Sequence, residues 1–315
     1  MAIDSNFIWA ARLISIADQA VSWEEGKKWC LWVYKKKDKM TLQQQLWTDK
    51  LYAEYFGTPE DGIKALMQIE ELDDQVPNVH YNLGSYYYYL SQFDKAIPEY
   101  VKALEIYKKW NSKPLGPKYY YGLGSAYHQT HQYNEERMLY KNAEKYFPDN
   151  YNLLQKQIIL LLTEGDTVTA NRLFEKCKSV RKDQLLSEAD IKGTLANLYS
   201  EAGMLDKAEE YYRKAFSLQP DNAYRKYYLA YFLIDKDRNI NEGLELIDQI
   251  LKIYPDNYIG LDIKGWGLYK QGKYNEALDI LQKSWNIRRQ NTLFNAEAYF
   301  HLEEAKKAVA NQKKN

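Results

Sequence analysis

Four stretches of the chain carry a small, a large and a second small residue at spacings of four and then three. They are Ala96/Tyr100/Ala103, Ala170/Phe174/Cys177, Ala208/Tyr212/Ala215 and Ala277/Leu281/Ser284. Positions i, i+4 and i+7 share one helix face. Each set therefore predicts an amphipathic helix whose small residues admit a second helix closely, while the large one fills the gap. Upstream of each stripe lies another amphipathic segment with an anchor residue, as in "YNLGSYYYYLSQFDKAIPEYVKAL" (Gly84) and "DIKGWGLYKQGKYNEALDILQKSW" (Gly265). A turn joins the two, often at a glycine (Gly57, Gly165, Gly203, Gly272). "PDN" at 148–150, 220–222 and 255–257 ends one pair of segments and starts the next.

The anchors fall at Ile14, Lys50, Gly84, Gly124, Ile158, Ala196, Ala230 and Gly265, spaced 36, 34, 40, 34, 38, 34 and 35 apart. A helix–turn–helix pattern at this period predicts a stacked repeat array over 1–291. Residues 292–315 follow as a terminal helix and tail, with Ala298, Leu302, Ala305 and Val309 on its buried side. The extra residues between units fall in linkers: "KKKDKM" (35–40), "WNSKPLGP" (110–117) and "KSVRKDQLLSE" (178–188). Such insertions are tolerated cheaply in connecting loops.

Over roughly residues 7–290 these features resemble the tetratricopeptide repeat (TPR) family. The third, fourth, sixth and eighth units carry the resemblance best. The second has Lys50 at the small anchor, and the seventh adds one residue in "IDKDRNINEG", putting Gly243 in the usual alanine slot. The resemblance implies an all-α fold, a right-handed α-solenoid of stacked antiparallel helix pairs with a C-terminal capping helix. It also implies a non-catalytic scaffold that binds a protein or peptide ligand, an extended peptide or a partner helix, in its concave groove.

That register assigns a role to each tyrosine of the run 86–89. Tyr87 packs inside its own helix pair and Tyr86 against the neighbouring repeat; Tyr88 and Tyr89 fall on the groove face that the family uses. The same face carries Trp47 and Tyr55 in the second unit and Tyr81 in the third. The fourth presents Tyr121, Ser125 and His128, and the sixth Asn197. The seventh offers Tyr224, Tyr227 and Tyr231, and the eighth Asp262, Trp266 and Tyr269. Thirty tyrosines against nine phenylalanines fit many half-buried rings with wet hydroxyls. Some TPR domains clamp a C-terminal carboxylate with a lysine and an asparagine. Tyr81/Ser85 and Tyr121/Ser125 occupy those slots here, so that mode is not expected.

Composition narrows the classes further. Of the 315 residues 45% are hydrophobic and 27% charged, consistent with a folded chain. Forty-three basic and 43 acidic residues cancel, so general attraction to nucleic acid or anionic lipid is not expected. No apolar run approaches the ~20 residues of a membrane span, and "MAIDSNFIWAARL" lacks a signal-peptide layout. Cys30 and Cys177 read as small buried residues. His128 and His131 share a face but lack supporting ligands, so no metal is expected there. "GLG" and "GWG" lack the strand-before-helix setting of a phosphate loop. No catalytic constellation appears, and neither an enzyme nor a cofactor is expected. A second reading is a regulatory or sensory segment: "WGLYKQGKY" and "LIDKDRNINEGLELID" are similar in general style to C-terminal regions of bacterial signalling proteins. A cytoplasmic location is the default, an extracytoplasmic one the consequence of that second reading. Exposed aromatics at an end of the stack are also compatible with self-association.

Overall fold

A computed structural model describes residues 5–18, 21–180, 187–291 and 295–312 of the chain. Among these residues there are seventeen α-helices, one 3-10 turn at Lys37–Lys39 and no strand. Consecutive helices pack as hairpins: α1 (Ser5–Asp18) with α2 (Trp23–Tyr34), α3 (Leu42–Phe56) with α4 (Pro59–Leu72), and α5 (Pro77–Tyr89) with α6 (Phe93–Lys109). The same holds for α7 (Lys118–Gln129) with α8 (Tyr133–Glu144) and α9 (Tyr151–Thr163) with α10 (Thr167–Val180). It holds again for α11 (Glu188–Glu201) with α12 (Leu205–Leu218) and α13 (Ala223–Asp235) with α14 (Ile240–Ile253). α15 (Tyr258–Lys270) meets α16 (Tyr274–Asn291) through Gly265 and Leu281, and α17 (Ala296–Gln312) follows. The fold is an all-α solenoid built from helix hairpins. The chain forms two compact units: Met1–Ser112 with Trp285–Phe300, and Lys113–Ser284 with His301–Asn315. Residues 181–186 of the third linker, and 292–294 and 313–315 of the terminal segment, lie outside the described residues.

Four hairpins share one spacing. The anchor of the first helix and a large side chain of the second stand sixteen residues apart: Gly84/Tyr100, Gly124/Tyr140, Ala196/Tyr212 and Gly265/Leu281. A Cβ at Gly84 would sit 2.8 Å from the Tyr100 ring, and one at Gly124 would sit 2.2 Å from the Tyr140 hydroxyl. The rings occupy the space that the glycines leave. In the seventh pair the extra residue falls after Asp237. Gly243 takes the small slot, where a Cβ would meet the Ala230 carbonyl at 2.9 Å.

The turns share a feature that residue types alone conceal. Seven residues after the anchor, six successive pairs have a residue with positive φ: Ser91, His131, Gly165, Gly203, Asp237 and Gly272. Half of these are not glycine, and each such residue costs about 1–2 kcal/mol in the left-handed region. The "PDN" motif works through its asparagine. Asn150, Asn222 and Asn257 are the N-caps of α9, α13 and α15, each accepting from a first-turn backbone N–H.

The cores follow the hairpins. In the first unit they are local: Ile8, Ala11, Val33 and Met40; Cys30, Leu51 and Tyr55; then Leu46, Leu66, Ile69, Val79 and Leu83. In the second, buried side chains run continuously from Leu154 to Trp266. The first two pairs depart from the expected register. Ile14 is exposed while Ser15 beside it is buried, and Lys50 lies buried with its amine on Glu54. Cys30 and Cys177 are both buried. Along α17, Ala298, Leu302, Ala305 and Val309 are buried, while the pairs Glu303–Lys306 and Glu304–Lys307 (both 2.8 Å) lie at the surface.

Three substitutions test this construction. Gly124→Ala should cost about 1–3 kcal/mol, because the buried Tyr140 ring has nowhere to move. Gly116→Ala, where no atom lies within 4 Å, should change stability by under about 0.5 kcal/mol in the same urea melts. Ser91→Gly at the exposed turn with φ 58° should instead stabilise by about 0.5–1 kcal/mol. An unchanged or lower midpoint would contradict the strained-turn account.

Candidate functional site

In the first unit the four consecutive tyrosines have four different environments. Tyr86 packs its phenol against α4 where Gly62 makes room, since a Cβ there would meet its hydroxyl at 2.6 Å. Burial pushes that phenol's pKa well up. Tyr87 lies half-buried on the Leu46–Leu83 cluster, with the Lys95 ammonium 5.6 Å above its ring. Tyr88 packs on Phe93 (5.4 Å) and edge-on to Tyr89 (6.0 Å). Tyr89 is 58% exposed. Its ring borders a cavity of about 510 Å³ lined from α3 by Glu54 and from α5 by Asn82, Ser85 and Tyr86. Asn295, Ala296 and Glu297 complete the lining.

The other groove candidates of this unit are more committed. Trp47 is half-buried under the Arg12 guanidinium, which also lies over Trp9 (5.5 and 4.7 Å) and donates to the Trp47 carbonyl at 3.1 Å. Burial brings Arg12 down to about 10, against the opposing pull of the Glu54 charge. Tyr55, which the register places on the groove face, is instead wholly inside. Its hydroxyl donates to the Ser15 carbonyl at 2.8 Å through a gap that Gly26 leaves open. Tyr81 is half-buried against Tyr100 (5.8 Å). Ser85 donates to the Tyr81 carbonyl (2.8 Å) and accepts from the Tyr100 hydroxyl (3.2 Å). Burial pushes the Tyr100 phenol far up.

In the second unit, Tyr121 and Ser125 are half-buried on α7. His128 turns inward: its Nδ1 is 3.0 Å from Glu136, which is only 1% exposed and stands in the α8 stripe where the other pairs have a small residue. Asn197 is exposed and accepts from the Tyr212 hydroxyl at 2.6 Å. Tyr224 is 67% exposed, with buried Tyr227 edge-on at 6.4 Å. Tyr231, Asp262, Trp266 and Tyr269 converge on His301 of α17. The His301 ring stacks on buried Trp266 at 4.3 Å, and Tyr269 stacks on Trp266 at 4.7 Å. His301 Nδ1 is 3.3 Å from buried Asp262, and its ring centroid is 6.4 Å from that of Tyr231. The register placed Asp262 and Trp266 on an open groove; the terminal helix fills that place.

One polar cluster was missed from sequence. Glu70 of α4, His80 of α5 and Glu99 of α6 bring three metal-ligating atoms within 4.8 Å of one another. His80 is fully buried, with Nδ1 2.7 Å from Glu99 and Nε2 2.9 Å from the Asp74 carbonyl. Burial alone would push the imidazolium down; the hydrogen bonds to Glu99 and to Asp74 outweigh it and leave the pKa raised. The three residues are ten and nineteen positions apart on different helices, so no local motif announces them.

Comparison with known proteins follows the same geometry. Tetratricopeptide repeat family models match residues 75–149, 189–222 and 265–291. A TPR repeat-containing protein of Methanocaldococcus jannaschii is 35% identical over 101 residues, 32% of this chain and 18% of that protein. Another from Pseudomonas aeruginosa is 29% identical over 130 residues, 40% of this chain and 22% of that protein. The chain thus spans about a fifth of the length of these two relatives. Among solved structures, PilW, a type IV pilus biogenesis factor, is similar in fold, with a TM-score of 0.53 and 14% identity. The match covers 69% of this chain and 94% of PilW. TPR repeats are typically non-catalytic and generally bind protein partners. With helix hairpins at the repeat period and family models matching in three places, the chain carries tetratricopeptide repeats.

Proposed function

We propose that the chain is a non-catalytic interaction scaffold that docks an extended peptide or a partner helix on the aromatic face of its first hairpin helices. The observation that carries this reading is Tyr89. Its ring is more than half exposed at the rim of a cavity of about 510 Å³, beside Asn82 and Ser85. A rigid ring with a polar tip beside side-chain amides and hydroxyls is the composition that recognition surfaces favour. Tyr224 offers a similar exposed ring in the second unit. By contrast Tyr55 and Trp266 serve the fold, and their truncation would confound any binding measurement.

The test uses a random peptide library displayed on phage against the full chain. Selected peptides should bind the wild type in titrations by fluorescence anisotropy. Tyr89→Ala should weaken them by about tenfold or more, as a central aromatic anchor does, while its thermal midpoint stays within about 2 °C of wild type. If no peptide enriches, or every selected peptide binds Tyr89→Ala and Tyr224→Ala as tightly as wild type, the aromatic face is not the docking surface.

A further inference from the structure

We propose that Glu70, His80 and Glu99 form a binding site for one divalent transition-metal ion of the Zn²⁺ type. The site stands outside the aromatic face and owes nothing to the peptide-docking reading. Three helices of two neighbouring hairpins each supply one ligand atom, and these atoms all lie within 4.8 Å of one another.

The histidine orientation is what points to an ion. His80 Nε2 lies 2.9 Å from the Asp74 backbone carbonyl. A carbonyl oxygen only accepts, so Nε2 carries hydrogen and Nδ1 is the nitrogen turned towards the carboxylates. An imidazole whose second nitrogen is fixed by a carbonyl is the usual arrangement of a metal-ligating histidine. Nδ1 faces a Glu99 oxygen at 2.7 Å and a Glu70 oxygen at 3.7 Å. Both are acceptors, so something positive must stand between them and the ring. A proton on Nδ1 does so in the ion-free molecule. A divalent ion would take its place, and the displaced proton would leave to water.

The distances suit the exchange. With metal–ligand bonds of about 2.0–2.1 Å at tetrahedral angles, ligand atoms stand about 3.4 Å apart. The present 2.7 and 3.7 Å bracket that value, so small rotations of two partly exposed glutamates suffice. Lys102 Nζ is 2.9 Å from Glu70 and 3.9 Å from Asp74. Around the imidazole, the Glu70 and Glu99 carboxylates thus face the ring directly, with the Lys102 ammonium on Glu70. An imidazole nitrogen in the ligand set favours Zn²⁺, Co²⁺ or Ni²⁺ over Mg²⁺ and Ca²⁺.

The test is calorimetric titration of the chelator-treated full chain with Zn²⁺, followed by the visible absorption of the Co²⁺ form. One ion should bind per chain with a Kd below about 10 µM, and millimolar Mg²⁺ should not compete. His80→Gln and Glu99→Gln should each weaken Zn²⁺ by about 30-fold or more and alter the Co²⁺ spectrum. If His80→Gln does not fold, Glu99→Gln decides, since its carboxylate is partly exposed and the variant's circular dichroism melt reports its fold. No saturable one-to-one binding, or wild-type affinity in either folded variant, would overturn the assignment.

Discussion

The contact between an anchor residue and the side chain sixteen positions later is what the remaining architecture depends on. Gly84 and Gly124 leave the space that the Tyr100 and Tyr140 rings fill, and Ala196 stands at the same spacing before Tyr212. Because the contact is local, each hairpin closes with little loop entropy, and neighbours are added one at a time. The choice of tyrosine has a further effect. A buried hydroxyl needs a partner, and Tyr100 and Tyr212 find theirs in Ser85 and Asn197, one position after the anchor on the first helix. The closing contact therefore dictates polar residues on the same helices that carry the candidate aromatic face.

This coupling explains why tyrosine is so abundant and why its members differ. Some rings are the filling of hairpins, some seal one hairpin against the next, and a few remain in water. Tyr86 and Tyr89 are three residues apart on one helix, yet one is enclosed over Gly62 and the other is mostly exposed. Near α17 the balance shifts again: His301 stacks on Trp266 and bonds to Asp262, so a surface that would otherwise be open is part of the packing.

Much of the fold was legible because the repeat makes each signal occur several times. The small–large–small stripe, the anchors and the buried side of α17 all lie where periodicity puts them. The first two pairs were harder to read. With neither glycine nor alanine at the anchor, a one-residue shift from Ile14 to Ser15 leaves the apolar pattern almost unchanged. The turn conformation was only half visible, since Ser91, His131 and Asp237 adopt the backbone that glycine takes elsewhere. The candidate site was less legible still. Tyr55 and Trp266 have the same sequence signature as Tyr89, and burial separates them only through contacts with Ser15 and His301, distant in the chain. The Glu70–His80–Glu99 cluster is assembled from three helices and has no linear trace.

The division of tyrosines between fold and surface is tested most directly by nitration of the native chain, mapped residue by residue by mass spectrometry. Nitration needs an exposed phenolate, so burial and raised pKa act in the same direction. Tyr89, Tyr224 and Tyr254 should be modified first, with Tyr55, Tyr100, Tyr140 and Tyr212 protected until the protein is unfolded in urea. Equal rates for Tyr89 and Tyr100 in the native state, or early modification of Tyr55, would contradict the account.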